Sequence, residues 1–329
     1  DSSMHGGGTS THGGARTPIC CSGPIGAYVK AMVEAYAFDP QQHPTYTPEQ
    51  VNLWIDTANG SRLPAFYLSA PGATLTMLCS HSNAEDLGVT YGIWSRLSKE
   101  LQVNVLSYEY SGYGHATGRA SESNLVADAN AALELLTKKF GLIPARDIVL
   151  YGRSLGSFPT CALARRYSVR GVILVSGLAS GARFSSIGSL APSCTDGVAL
   201  NNIGRISRCT SPVQLIHGTR DAVVPLSHAK AMHQACKAHH PLEPCWIDGA
   251  RHDGLVDQYA EELIGAIRGF LAHLGELCEN GDDHHAAHAS ASEAPANRHN
   301  APGTLPVLLL SVCGIILLVI GIVVTVWSL

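Results

Sequence analysis

The sequence predicts an α/β protein with a mainly parallel central sheet and helices on both faces. Three observations carry this: alternating strand and helix patterns, a G-x-S-x-G turn set directly after an apolar run, and a length of 329 residues, which suits one large domain with appendages. Short β-branched or apolar runs at 65–69, 74–79, 103–109, 147–151, 171–176, 212–216 and 245–248 read as strands. Apolar residues recur at helical spacing at about 89–101, 121–139, 155–167, 226–239 and 255–274. Each helix between two strands returns the chain to the start of the sheet, so the strands run parallel.

The ends differ from this middle. Residues 1–24 are rich in Gly, Ser, Thr and His and are expected to be disordered, because they cannot bury enough apolar surface to offset the entropy of ordering. Residues 279–304 have the same character and read as a linker, which leaves 25–278 as the folded domain. A transmembrane helix is expected at 305–328, since 306–327 holds no charged residue over more than 20 positions, enough to cross a hydrocarbon core. A buried core helix rarely stays apolar on every face at that length. The expected topology is a C-terminal tail anchor with the rest of the chain facing the cytosol. A glycolipid-anchor signal is the rival, with small residues at 290–296 as its cleavage site, but no signal-peptide run is seen near Asp1.

Charge and cysteines narrow the partners. With 22 Lys and Arg against 26 Asp and Glu and no basic block, nucleic acid is not an expected partner. Ten scattered cysteines favour a reduced setting over a disulfide scaffold. The linker histidines His284, His285, His288 and His299 lack fixed spacing and read as solvated, so no metal is expected.

The chemistry starts at DIVLYGRSLGS. An apolar strand runs into Gly152-Arg153-Ser154-Leu155-Gly156, a nucleophile elbow in which two glycines permit a sharp strand-to-helix turn and Ser154 is pushed out towards substrate. The pattern alone is weak, and an ordinary loop serine is the plain alternative; the strand before it and the helix after it are what the motif requires. A serine hydroxyl needs a histidine to take its proton and an acid to hold that histidine. PVQLIHGTRDAVVP supplies Asp221 and CWIDGARHDG supplies His252, each in a loop after a strand and in the chain order Ser, acid, His. Their plain alternatives are a helix N-cap and a solvated loop histidine. Asp253, next to His252, is poorly placed to face the same ring. The oxyanion donors expected are the Leu155 N–H, at a helix N-terminus, and the Asn83 N–H in the loop after LTMLCS.

These blocks together resemble the alpha/beta-hydrolase-domain-17 proteins, serine hydrolases that remove palmitate from cysteine thioesters of membrane-bound proteins. The likeness covers about residues 64–274 and rests on HSNAEDLG, VLSYEYSGYGHATGRASESNLVADANAA, IVLYGRSLGS, SPVQLIHGTRDAVVP and GARHDG, in the family's order. It implies an α/β-hydrolase fold, with Ser154, Asp221 and His252 at the triad positions and Asn83 in the oxyanion loop. It also implies acylated N-terminal cysteines, which makes Cys20 and Cys21 candidate S-acylation sites. The chain departs from the family at Ser82 and Arg251, where Gly is usual, and in its apolar tail.

The resulting expectation is a membrane-anchored serine hydrolase that cleaves acyl thioesters or esters without a cofactor. Its partners would be the lipid bilayer and an S-acylated protein or lipid ester. Residues 177–211, about 35 in all, read as a short lid in which Phe184 and Leu190 line an acyl groove. Three alternatives stand behind this: a monoacylglycerol or lysophospholipid lipase, a serine peptidase, and a catalytically silent binding module.

Overall fold

A computed structural model describes residues 24–41, 43–184, 196–236 and 242–279. Its strands are β1 (Leu53–Asp56), β2 (Arg62–Leu68), β3 (Thr76–Ser80), β4 (Asn104–Tyr108), β5 (Ile148–Arg153), β6 (Gly171–Val175), β7 (Val213–Gly218) and β8 (Cys245–Ile247). They form one sheet in the order β1-β2-β4-β3-β5-β6-β7-β8. The β1–β2 and β2–β4 pairs are antiparallel and every pair from β4 to β8 is parallel. β3, β5, β6 and β7 are buried along their whole length, as strands covered by helices on both faces must be.

The longer helices are α1 (Pro24–Tyr36), α2 (Leu87–Leu101), α3 (Glu122–Lys138), α4 (Ser157–Arg166), α5 (Leu226–Ala235) and α6 (Ala260–Glu279). Each buries residues three or four apart. α2 turns in Leu87, Thr90, Trp94 and Leu97, and α3 turns in Leu125, Ala129, Ala132, Leu133 and Leu136. Asp86 caps α2 by accepting from the Val89 N–H, and Ser121 caps α3 by accepting from the Asn124 N–H. The sheet separates two cores. One packs α3 and α4 against Leu78, Leu106, Leu150 and Leu174; the other packs α2 and α6 against Met77, Val105, Val149 and Ile173.

The expected elements sit where the periodicity puts them, with shifted ends. The helix expected at 255–274 starts only at Ala260, after a 3-10 turn at Asp253–Leu255, and the one at 226–239 closes at Ala235. Two elements carried no sequence expectation. α1 opens on Pro24, a residue assigned above to the disordered segment, and β1 is four residues long with only Ile55 buried. Its hairpin to β2 turns at 57–61, where Gly60 takes φ +82. Glu279, read above as linker, closes α6; Cys20, Cys21, Leu190, the rest of the linker and the expected transmembrane helix at 305–328 lie outside the described residues. Among the described residues no helix is long and apolar enough to cross a membrane.

Candidate active site

β5 ends the strand at Arg153 and the chain reverses at Ser154, whose φ of +51 puts a non-glycine residue in left-handed backbone. The glycines on either side are fixed by close approach. A Cβ on Gly152 would lie 2.9 Å from the Gly156 carbonyl carbon, and one on Gly156 would lie 2.6 Å from the Ser80 carbonyl carbon and 2.7 Å from the His81 oxygen. The elbow thus presses on the end of β3, where Ser80 pairs with Gly152. Ser154 is only 7% exposed. The expectation that the serine stands open to substrate is therefore corrected: Ser154 is buried, with the His252 ring against its hydroxyl.

His252 Nε2 lies 3.0 Å from Ser154 Oγ, and His252 Nδ1 lies 2.7 Å from Asp221 Oδ2. An ionised Asp221 only accepts, so Nδ1 carries the proton and the Nε2 lone pair faces the serine hydroxyl. Burial by itself raises the Asp221 carboxyl; the His252 hydrogen bond, its charge and the Val224 N–H outweigh that and hold the group below its ordinary range. The other oxygen, Oδ1, accepts the Val223 and Val224 N–H groups at 3.0 and 2.8 Å. One oxygen therefore ties the turn while the other holds the ring; the N-cap alternative fails, since α5 has Pro225 at its N-cap and no side-chain cap bond. Asp253 is exposed and takes no part in the hydrogen bonds that join Ser154, His252 and Asp221.

His217, at the end of β7, donates Nε2–H to the Val224 oxygen at 2.8 Å. Burial lowers its pKa, against the opposing pull of the Val224 oxygen and of Asp221, whose Oδ2 is 3.5 Å away.

Asn83 sits in the loop after β3. Its side-chain oxygen accepts the Tyr113 hydroxyl at 2.6 Å and the Asp39 N–H at 3.1 Å, which leaves the backbone N–H unengaged among the described residues. Leu155 is buried at the first turn after Ser154. Ser82 takes no positive φ, so its departure from the family's glycine costs nothing in backbone strain.

Several supporting residues had been assigned no role. Beneath the oxyanion loop, His81 Nε2 and Glu109 Oε1 lie 3.0 Å apart with both side chains fully buried, and His81 stacks on Tyr110 at 4.0 Å. Burial disfavours the His81 cation, but Glu109 outweighs it and raises the pKa. Glu109 also accepts from the Tyr46 hydroxyl at 2.8 Å. On the other side, buried Arg153 pairs with Glu85 and donates to the His252 carbonyl at 3.2 Å, while Glu85 accepts the Ser82 N–H at 3.0 Å. One guanidinium thus ties together the elbow, the oxyanion loop and the histidine loop. Its signal in the sequence is a charge at the end of an otherwise apolar strand, a position that burial makes costly unless it is paired.

The expected lid is described only in part. Phe184 is half exposed, with its ring 5.0 Å from His228, and Arg183 makes a bidentate pair with Asp196 at 2.7 and 2.8 Å. Asn202 donates to the Ser157 hydroxyl at 3.0 Å, fastening this segment to α4. Among the described residues no cluster of metal-ligating side chains gathers.

A doubly covered, mainly parallel sheet with a strained serine at its central elbow defines an alpha/beta hydrolase. Solved structures agree on the fold: an esterase from Pyrococcus furiosus superposes with a TM-score of 0.57 at 17% identity, covering 72% of this chain and 98% of the esterase. A monoacylglycerol lipase from Paleococcus ferrophilus gives 0.52 at 17%, covering 64% and 99%. The family profile described as Chlamydia CHLPS protein (DUF818) matches residues 71–175. Alpha/beta hydrolase domain-containing protein 17B of Xenopus tropicalis is 40% identical over 221 residues, 66% of this chain and 75% of the relative. The human 17C protein is 41% identical over 218 residues, 66% of this chain and 64% of the relative. The chain belongs to the alpha/beta hydrolase domain-containing protein 17 family.

Proposed function

We propose that this chain is a serine hydrolase that removes palmitate-type acyl groups from cysteine thioesters of membrane-bound proteins, held near them by its apolar C-terminal segment. The observation that carries the chemistry is the hydrogen-bonded chain Ser154 Oγ, His252 and Asp221, at 3.0 and 2.7 Å. The substrate class rests on the resemblance to the family.

In this reading Ser154 Oγ attacks the acyl carbonyl as His252 Nε2 takes the hydroxyl proton. The tetrahedral oxyanion forms against the Leu155 and Asn83 N–H groups, with the α4 N-terminus adding its positive end. Collapse breaks the C–S bond, and the His252 imidazolium returns its proton to the departing thiolate. Water then attacks the acyl-enzyme, His252 takes one of its protons, and the fatty acid leaves as Ser154 recovers its hydrogen. A membrane anchor raises the effective concentration of lipidated substrate.

The test is release of palmitate from a palmitoyl-cysteine peptide and from monopalmitoylglycerol, by wild type and Ser154→Ala. The expected result is preferential thioester cleavage that vanishes in the variant. Cleavage of the glycerol ester alone replaces this substrate with a lipid ester. If neither is cleaved and a fluorophosphonate leaves Ser154 unlabelled, the reading as a serine hydrolase fails.

A further inference from the structure

Four cations gather in one place on a chain whose total is acidic, 22 Lys and Arg against 26 Asp and Glu. Lys30 of α1, Arg165 of α4, Arg205 in the helical turn Ile203–Ile206 and Arg208 just beyond it line a single cavity of about 440 Å³. Glu122, at the start of α3, is the one acid in its wall among the described residues. Several arginines elsewhere are matched, Arg96 with Glu100, Arg146 with Asp147, Arg153 with Glu85 and Arg183 with Asp196. Among the described residues none of the four cavity cations has a carboxylate at ion-pairing distance. Residues 185–195, which lead into this wall, include no acid either.

Glu122 offsets part of this charge, interacting with Lys30 and Arg205. One of its oxygens takes the Leu200 N–H at 2.6 Å, and burial pushes its carboxyl up. Arg205 lies with its guanidinium 3.8 Å from the centre of the Phe158 ring, half-buried, so its charge is held by a π face and a backbone oxygen. Asn201, another residue of the wall, spends its side-chain oxygen on the Gly204 N–H at 2.8 Å, which leaves its NH2 as the amide's donor. Bringing three guanidiniums and an ammonium together from separate elements costs Coulomb energy, which an anion between them would reverse.

We propose that this cavity binds a phosphate-bearing anion, gripped by Arg165, Arg205 and Arg208, with Lys30 as counter-charge and the Asn201 amide as a neutral donor. Guanidinium forks match phosphate oxygens two at a time, and a donor set dominated by Arg favours that geometry over a lone carboxylate. The volume falls within the range of small-molecule sites and exceeds what a bare phosphate fills, leaving room for the group that carries it. The same chemistry is offered by a soluble phosphate and by an anionic lipid headgroup.

The experiment uses the full chain in a neutral detergent at constant ionic strength, with Tm as readout. One arm titrates inorganic phosphate against chloride. The other adds micelles doped with short-chain phosphatidic acid against micelles of short-chain phosphatidylcholine. The comparison variant is Arg165→Gln with Arg208→Gln, both exposed, so the fold survives; circular dichroism checks this. Arg205→Gln is a second variant, read for lost binding after correction for its own lowered Tm. The expected result is a phosphate-specific rise in wild-type Tm, in at least one arm, with apparent affinity weakened about tenfold or more in both variants. A response confined to the doped micelles assigns the site to a headgroup; one confined to inorganic phosphate assigns it to a soluble phosphate. Equal responses in wild type and variants, or no response beyond chloride and phosphatidylcholine, overturn the proposal.

Discussion

The antiparallel hairpin β1–β2 and the parallel block from β4 to β8 share one sheet, yet the three triad residues and Asn83 come from the block. Parallel strands end on the same side, so the loops after β3, β5, β7 and β8 converge, and small shifts in any of them are felt at Ser154. The hairpin sends its turn at 57–61 the other way and half exposes Trp54. Its contribution is to cover β4, and changes there act on stability alone.

The sharpest test of this contrast is Asp221→Asn, which leaves the fold intact but allows the wrong His252 tautomer; a fall in kcat of about 10⁴-fold is expected in an ester-hydrolysis assay. An unchanged rate would mean that Asp221 serves only its turn. Next comes Gly156→Ala, whose Cβ meets the Ser80 and His81 backbone, so β3 and the elbow must part. Its expected cost is about 1–3 kcal/mol in urea denaturation, with a loss of activity beyond what that stability loss explains.

Of similar size is an acid sensitivity at His228 of α5, which accepts the Ala179 N–H at 3.2 Å and faces Arg183, His217, Asp196 and Asp221. Burial, followed by the Arg183 charge, lowers its pKa from 6.5 to about 4. The folded state therefore binds fewer protons than the unfolded chain. Its stability is full above pH 6.5 and falls as pH drops towards 4, by up to about 3 kcal/mol. Urea midpoints across that window should slope less in His228→Gln.

Arg153→Gln should lower kcat by about 10- to 100-fold with KM little changed, since the guanidinium orders loops rather than touching substrate. Because Glu85 is then left without its cation, adding Glu85→Gln should recover part of the lost stability in a double-mutant cycle. Smallest is Trp54→Ala, where the Arg62 guanidinium 4.9 Å from the ring centre is lost: about 1 kcal/mol or less in stability and no change in kcat.

What was legible in the sequence follows the same division. The buried strands of the block read as unbroken apolar runs, and the elbow, Asp221 and His252 each follow one, so local pattern and chain order carried them. β1 has a single buried residue in four, too short a stretch to show an alternation. α1 buries Val29 and Val33 but exposes Tyr28, Met32 and Tyr36, so apolar residues on both sides blur its helical stripe. Arg153, Glu85, His81 and Glu109 were hidden for a different reason. Their roles arise from contacts between residues as far apart as 85 and 153, or 81 and 109, and no local pattern announces a pairing across loops.

The Arg183–Asp196 pair has one more consequence. It joins two residues 13 positions apart, so the chain between them is a cassette fixed at both ends. Loop-closure entropy grows only with the logarithm of length, so that cassette can be lengthened, shortened or exchanged at little thermodynamic expense while the clasp holds. A change of length there is then taken up between two fixed points, away from the loops that carry Ser154, Asp221 and His252.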